Sequence, residues 1–174
     1  MDGQRNLLQW IKIRPITIDD FESVLAWSKD NSFCEANEWK INRSPEELYK
    51  WWHHCVNHSV EDFIRMGITL NGKLIGYADM ACIKGNTAEL GIAIGESRLW
   101  GNGIGSTSAM CMMEYASKKL GISIFNAETH EANARSRKML ENIGFIEISR
   151  MGSEEYLGVK GQRIQYRLIY NGET

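Results

Sequence analysis

Residues 87–120 join a strand, a glycine-rich turn and a helix in immediate succession, and few folds accommodate that order. Leu90, Ile92 and Ile94 alternate with Glu89, Gly91 and Ala93, the two-residue repeat of a strand whose faces meet different surroundings. After Ile104 the repeat lengthens, because Ala109, Met112, Met113, Ala116 and Leu120 recur at the spacing of one helical face. Lys118 and Lys119 close that helix and Gly121 follows it, as the helix dipole and a left-handed cap favour. Between the two lies Gly101-Asn102-Gly103-Ile104-Gly105-Ser106, whose alternate glycines let a ligand approach the backbone. Free N–H groups at the start of a helix make such a turn an anion site, most often for phosphate.

Three classes of phosphate ligand use a turn of this kind. A nucleoside-triphosphate loop requires a lysine after its last glycine, whereas Gly105 is followed by Ser106 and Thr107. A dinucleotide site is a nearer fit, since Gly101 and Gly103 lead to Ser106 and Glu128 ends the next strand at a ribose-binding distance. However, only one helix and about two strands follow Glu128, too few to complete a doubly wound sheet. The third class is coenzyme A, with its pyrophosphate on the same turn.

Two runs carry a family resemblance. GIAIGESRLWGNGIG at residues 91–105 resembles the acyl-CoA motif of the GNAT-type N-acetyltransferases, and NARSRKMLENIGF at residues 133–145 resembles their second signature. The likeness extends loosely over residues 11–169 and is nearest to the ribosomal-protein-alanine N-terminal acetyltransferase branch. It implies an α+β GNAT fold, a mixed and mostly antiparallel sheet of about seven strands with helices on both faces, in one domain spanning residues 1–174. It also implies acetyl transfer from acetyl-CoA to a primary amine, most suitably an α-amino group of a protein or peptide. Polyamines, aminoglycosides or a non-catalytic acyl-CoA-binding role are the alternatives. By the same resemblance Ile92, Ala93, Ile94, Trp100, Gly101, Asn102, Gly103, Ile104, Gly105, Ser106, Asn133 and Ser136 hold the cofactor, with no metal. Trp100 is a departure, since the family usually has Arg or Gln there.

The remaining chain reads as a strand at 10–15, a helix capped by Thr17 and ending near Lys29, and an irregular loop over 30–43. A second helix starts at Ser44, with Pro45 in its first position and Glu47 completing a capping box. Its face of Leu48, Trp51, Trp52, Cys55 and Val56 reads as core, while the resemblance puts this helix and the preceding loop beside the acceptor, with Trp39 and Trp52 as contacts. His54 and His58 lie four apart without a third metal ligand suggested by spacing. A hairpin over 62–82 turns at Asn71-Gly72. After the central unit come a strand at 122–128, a helix at 133–143, and two strands at 145–151 and 163–170 joined by a loop holding Glu154, Glu155 and Tyr156.

An amine attacks only when neutral, and at pH 7 about a tenth of α-amino groups are neutral, against less than about a thousandth of lysines. A proton acceptor is therefore useful. Glu89 is one candidate, on the face of the central strand opposite Leu90 and Ile92. Glu155 is the other, by resemblance to a branch that uses a late-loop glutamate. The family's usual tyrosine, which protonates the departing thiolate, falls on Leu140, so by resemblance Ser136 donates to the sulfur. Asn133 holds the pantetheine arm, caps its helix, or does both, and N–H groups near Ile92 to Ile94 polarise the thioester if that strand is bulged. Arg135, Arg137 and Lys138 are candidates for the ribose phosphate.

Composition narrows the rest. The chain has 174 residues and a net charge of -2, without a long basic run, which argues against nucleic acid as a partner. No apolar stretch is long enough for a membrane helix and the start lacks a secretory core, so a cytoplasmic location is expected, with no membrane partner. Cys34, Cys55, Cys82 and Cys111 are scattered and read as reduced, mostly buried thiols. Acetyl-CoA and an amine acceptor are the expected partners, and a homodimer is left open.

Overall fold

In a computed structural model, which describes residues 7–172, the chain forms a seven-stranded sheet flanked by helices. The strands are β1 (Ile11–Pro15), β2 (Ile64–Leu70), β3 (Lys73–Lys84), β4 (Thr87–Ile94), β5 (Ile124–His130), β6 (Ile146–Tyr156) and β7 (Val159–Ile169). The helices are α1 (Phe21–Trp27), α2 (Asn31–Ala36), α3 (Pro45–Asn57), α4 (Ile104–Leu120) and α5 (Ala134–Ile143). The sheet order is β1-β2-β3-β4-β5-β7-β6, and among these pairs only β4 with β5 is parallel. A doubly wound arrangement is thereby ruled out, and the expected mixed, mostly antiparallel sheet is present.

The alternation in β4 separates two cores. Leu90 and Ile94 join Ile104, Met112, Met113 and Phe125 beneath α4 and α5. Ala93, on the other face, packs with Trp27, Phe33, Leu48 and Trp52 from α1, α2 and α3. None of the buried members of that second cluster comes from β5, β6 or β7. The helices on this side therefore cover only the first half of the sheet.

Several expectations need correction. The segment read as an irregular loop over 30–43 contains α2, because Asp30 caps it by accepting from the Phe33 N–H at 3.0 Å while Phe33 and Cys34 anchor it in the core. The first helix opens with a 3₁₀ turn at Ile18–Asp20, where Asp20 accepts from the Thr17 N–H and pairs with Arg14 at 2.7 Å. The late loop is absent as well. Glu154, Glu155 and Tyr156 extend β6, and the chain reverses through Leu157 and Gly158, both with positive φ. Cross-strand pairing with β7 supplies the order that their own sequence does not. Among the four free cysteines only Cys34 is buried, and Cys82 is exposed. The polar stretch 1–9 reads in sequence as loosely held; its residues 1–6 lie outside the described residues, and no helix among those described is long and apolar enough to cross a membrane.

Gly95 ends β4 against the fully buried Trp27, and a Cβ there would lie 2.2 Å from the indole ring. Its N–H donates to the Ile75 carbonyl at 2.7 Å, so the backbone is held in place. Gly95→Ala is expected to destabilise the protein by about 1–3 kcal/mol through overpacking, read from chemical denaturation.

Candidate active site

The site begins where β4 and β5 part. Their parallel register runs only from Thr87↔Ile124 to Glu89↔Asn126, after which the strands diverge. The β3–β4 register continues unbroken from Glu89 to Ile94, so the bulge on which thioester polarisation by this stretch was conditional is not formed. Divergence, rather than a bulge, turns the β4 edge beyond Glu89 toward open space. Two clefts occupy that space, of about 270 and 250 Å³. They share Ala36, Asn37, Ile92, Asn133, Ser136 and Met139, and so adjoin one another at the split.

The first cleft is the glycine turn. Gly101 and Gly103 have φ of 80°, a conformation strained for any residue with a Cβ, and Gly103 caps α4. The first helical bond runs from the Thr107 N–H to the Gly103 carbonyl, which leaves the N–H groups of Ile104, Gly105 and Ser106 ahead of the ladder. Asn102 braces the turn, its Nδ2 donating to the carbonyls of Leu99 and Trp100 at 3.1 and 3.3 Å. Ile94, Trp100, Gly101, Gly103, Gly105 and Ser106 all line this cleft. Ala93 points the other way, into the second core, and Ile104 is buried under the sheet. These two can serve a ligand only through backbone.

Trp100 donates through Nε1 to the Ile94 carbonyl at 3.0 Å, which fixes the ring against β4. The Arg135 guanidinium stacks on that ring with its central carbon 3.5 Å from the centroid. Arg135 has no carboxylate partner among the described residues, and burial pulls its pKa below the usual guanidinium value. A stacked, unpaired cation above a row of N–H donors suits an anion. Asn133 caps α5, its Oδ1 accepting from the Ser136 N–H at 3.2 Å, and both residues line both clefts.

The second cleft holds the titratable groups. Glu128, on β5, lines it, accepts from Gln165 at 3.3 Å and lies 3.7 Å from Arg163. Arg163 also pairs with Glu154 at 2.8 Å. Tyr156 lines the same wall. Burial pushes the Tyr156 hydroxyl up and Arg135 pulls it back. Glu89 sits beside this cleft rather than on it. Burial raises its pKa, the Glu128 charge raises it further and Arg163 opposes both.

Other expected site residues lie apart. Glu155 precedes Tyr156 on the same strand, so the pleat directs it to the opposite face of β6, away from the cleft. Trp52 is fully enclosed and donates to the Thr17 carbonyl at 2.9 Å, so it presents no surface to an acceptor and acts as core. Trp39 is half-buried, in edge contact with Phe33 and Trp51, and lines neither cleft. The rings of His54 and His58 stack 3.9 Å apart, and no group of three metal-ligating side chains is found among the described residues. Sequence reasoning missed Glu128 as a site residue, although it stands at a polar position of a strand whose alternate residues Phe125 and Ala127 are buried. It missed Tyr156 too, and nothing in the sequence would have found it.

Comparison with known proteins agrees with this geometry. A family described as acetyltransferase (GNAT) domain matches residues 11–146. The chain belongs to the GNAT family of acetyl-CoA-dependent N-acetyltransferases. A solved structure of RimL, described as a ribosomal L7/L12 α-N-protein acetyltransferase in complex with coenzyme A, is similar with a TM-score of 0.80 at 18% identity, over 94% of this chain and 96% of that one. A spermidine N-acetyltransferase from Vibrio cholerae, in complex with CoA and spermine, reaches 0.77 at 16% identity over 94% and 98%. An uncharacterised protein of Methanocaldococcus jannaschii is 29% identical over 150 residues, 84% of this chain. The chain spans 30% of the length of that curated relative.

The opposing influences on Glu89 can be measured separately. In an NMR carboxylate titration, Glu128→Gln is expected to move the Glu89 midpoint to lower pH, and Arg163→Met to move it to higher pH. No movement in either variant would mean that the three groups are uncoupled.

Proposed function

We propose that this GNAT domain transfers the acetyl group of acetyl-CoA to a primary amine, most suitably the α-amino group of a protein or peptide. The observation that carries this reading is the pair of adjoining clefts at the β4–β5 split, with a glycine turn of free N–H groups in one and carboxylates in the other. The pyrophosphate of acetyl-CoA meets the N–H groups of Gly103 to Ser106, and Arg135 on Trp100 takes the place of the family's Arg or Gln. The pantetheine arm follows the freed edge of Ile92 to Ile94, past Asn133, and brings the thioester beside Ser136. The Ser136 hydroxyl then lies where it can donate to the thioester sulfur.

Glu128 is the carboxylate we assign to the incoming amine. It borders the cleft, whereas Glu89 stands behind it as a coupled neighbour and Glu155 faces away. As a carboxylate it attracts an ammonium and accepts the proton that the attacking nitrogen must lose, directly or through water. Beyond Glu128 the sheet face over β5, β7 and β6 adds nothing to the helix-covered core, and β6 is exposed from Ile146 to Glu155. This open approach favours a polypeptide end over a small molecule enclosed on all sides. The L7/L12 specificity of the RimL neighbour supports the same acceptor class, while the spermidine enzyme keeps polyamines as the second reading.

An acetyl-transfer assay should compare peptides bearing a free α-amine with spermidine and an aminoglycoside. Faster turnover of the peptides is the expected result. Preferential turnover of spermidine would move the acceptor class, and binding of acetyl-CoA without transfer to any amine would indicate a sensor. Glu128→Gln should lower kcat/KM about 100-fold at neutral pH with coenzyme A affinity unchanged. By contrast, Arg135→Ala should weaken coenzyme A about tenfold in calorimetry, as expected when a charge-assisted hydrogen bond is lost.

A further inference from the structure

The acetyl-transfer reading leaves one step without a competent donor. When the tetrahedral intermediate collapses, the C–S bond breaks and its electron pair stays on sulfur, so a thiolate leaves unless a proton reaches it. Leu140 cannot supply one, and a serine hydroxyl is a far weaker acid than a thiol. A phenol, at a pKa of about 10 against about 8.5 for a cysteine-like thiol, is much closer to a match.

The structure brings a phenol to this place by way of the β6–β7 hairpin. Tyr156 is the last residue of β6 and lines the cleft together with Ser136, Leu90, Gly91 and Ile92. Its ring stacks on His130, with centroids 5.6 Å apart and planes at 24°. That imidazole is held at both nitrogens. The Ala132 N–H donates to Nδ1 at 3.0 Å, so the hydrogen sits on Nε2, which donates to the Glu154 carbonyl at 3.0 Å. Gly161 allows the hairpin to close on this pair, since a Cβ there would come within 2.8 Å of the His130 ring. The Tyr156 ring is therefore fixed, while its hydroxyl has no hydrogen-bond partner among the described residues and remains open to the cleft.

We propose that Tyr156 is the acid that protonates the departing thiolate of coenzyme A, in place of the helix-borne tyrosine that Leu140 replaces. The inference rests on the acetyl-transfer reading above. In this step the amine nitrogen bonds to the acetyl carbon and loses a proton to Glu128 or to water. The C–S bond breaks, the Tyr156 O–H proton passes to sulfur, and coenzyme A leaves as the thiol. The phenolate then recovers a proton from solvent and Glu128 releases to solvent the one it took, so the net products are the N-acetylated amine and free coenzyme A. Ser136 orients the sulfur, and Arg135, whose charge acts on the Tyr156 hydroxyl, steadies the transient phenolate.

Tyr156→Phe keeps the stack on His130 and removes an unpartnered hydroxyl, so fold and coenzyme A affinity should stay within twofold of wild type. With acetyl-CoA the single-turnover rate should fall at least 100-fold. With S-acetyl-4-nitrothiophenol, whose thiolate leaves without protonation, the same variant should lose less than fivefold. Equal losses on both donors, or retention of the acetyl-CoA rate within threefold, would overturn the proposal while leaving an active wild type and its acetyl-transfer function intact. A wild-type protein inactive toward every amine would instead overturn both readings together.

Discussion

The separation of β4 from β5 is the constraint on which the site depends. Parallel strands bond evenly along their length, yet here pairing stops after Glu89↔Asn126 and leaves backbone groups of both edges unsatisfied by each other. A sheet tolerates such a break only if something else holds the strands apart. On one face α4 and α5 pack against the sheet through Ile104, Met112, Met139 and Leu140. At the end of β4, Gly95 is seated on Trp27, and the Trp100 indole claims the Ile94 carbonyl. The break is a supported opening, and both clefts are built on its edges.

Electrostatics follow from the same geometry. The start of α4 points a row of N–H groups into the first cleft, and Arg135 adds a cation that no carboxylate among the described residues neutralises. At the second cleft Glu128, Glu154 and Arg163 form a partly compensated cluster, with Glu89 behind it holding its proton more tightly than an ordinary glutamate. In the proposed function an anionic cofactor and a cationic acceptor thus meet opposite fields at opposite ends, with the reacting carbonyl between them beside Ser136.

The β6–β7 hairpin is tied to this arrangement by contacts remote in sequence. His130, on β5, is bonded to the backbone of Glu154 on β6, and Glu131 accepts from the Gln162 N–H on β7. These bonds bring Tyr156 and Arg163 onto the cleft wall. In its own sequence the stretch from Gly152 to Gly161 reads as a loop, because glycine and charge dominate it. Pairing across the hairpin overrides that local tendency.

The amino-acid sequence by itself determined the strand–turn–helix unit, both family motifs and the number of strands, since each is written in local periodicity or in glycines at fixed spacing. The capping role of Asn133 and the position of Ser136 one turn into the same helix were legible in the second motif. Tertiary structure decided which carboxylate lines the cleft, because Glu89, Glu128 and Glu155 are equally plausible as residues and differ only in the strand edge and pleat they occupy. It also decided that Trp52 is core and that Asp30 begins a helix, outcomes set by packing against β3, β4 and Ser97. Local spacing specifies what a segment can form, whereas the direction of a side chain across a diverging sheet depends on pairings between residues far apart in the chain.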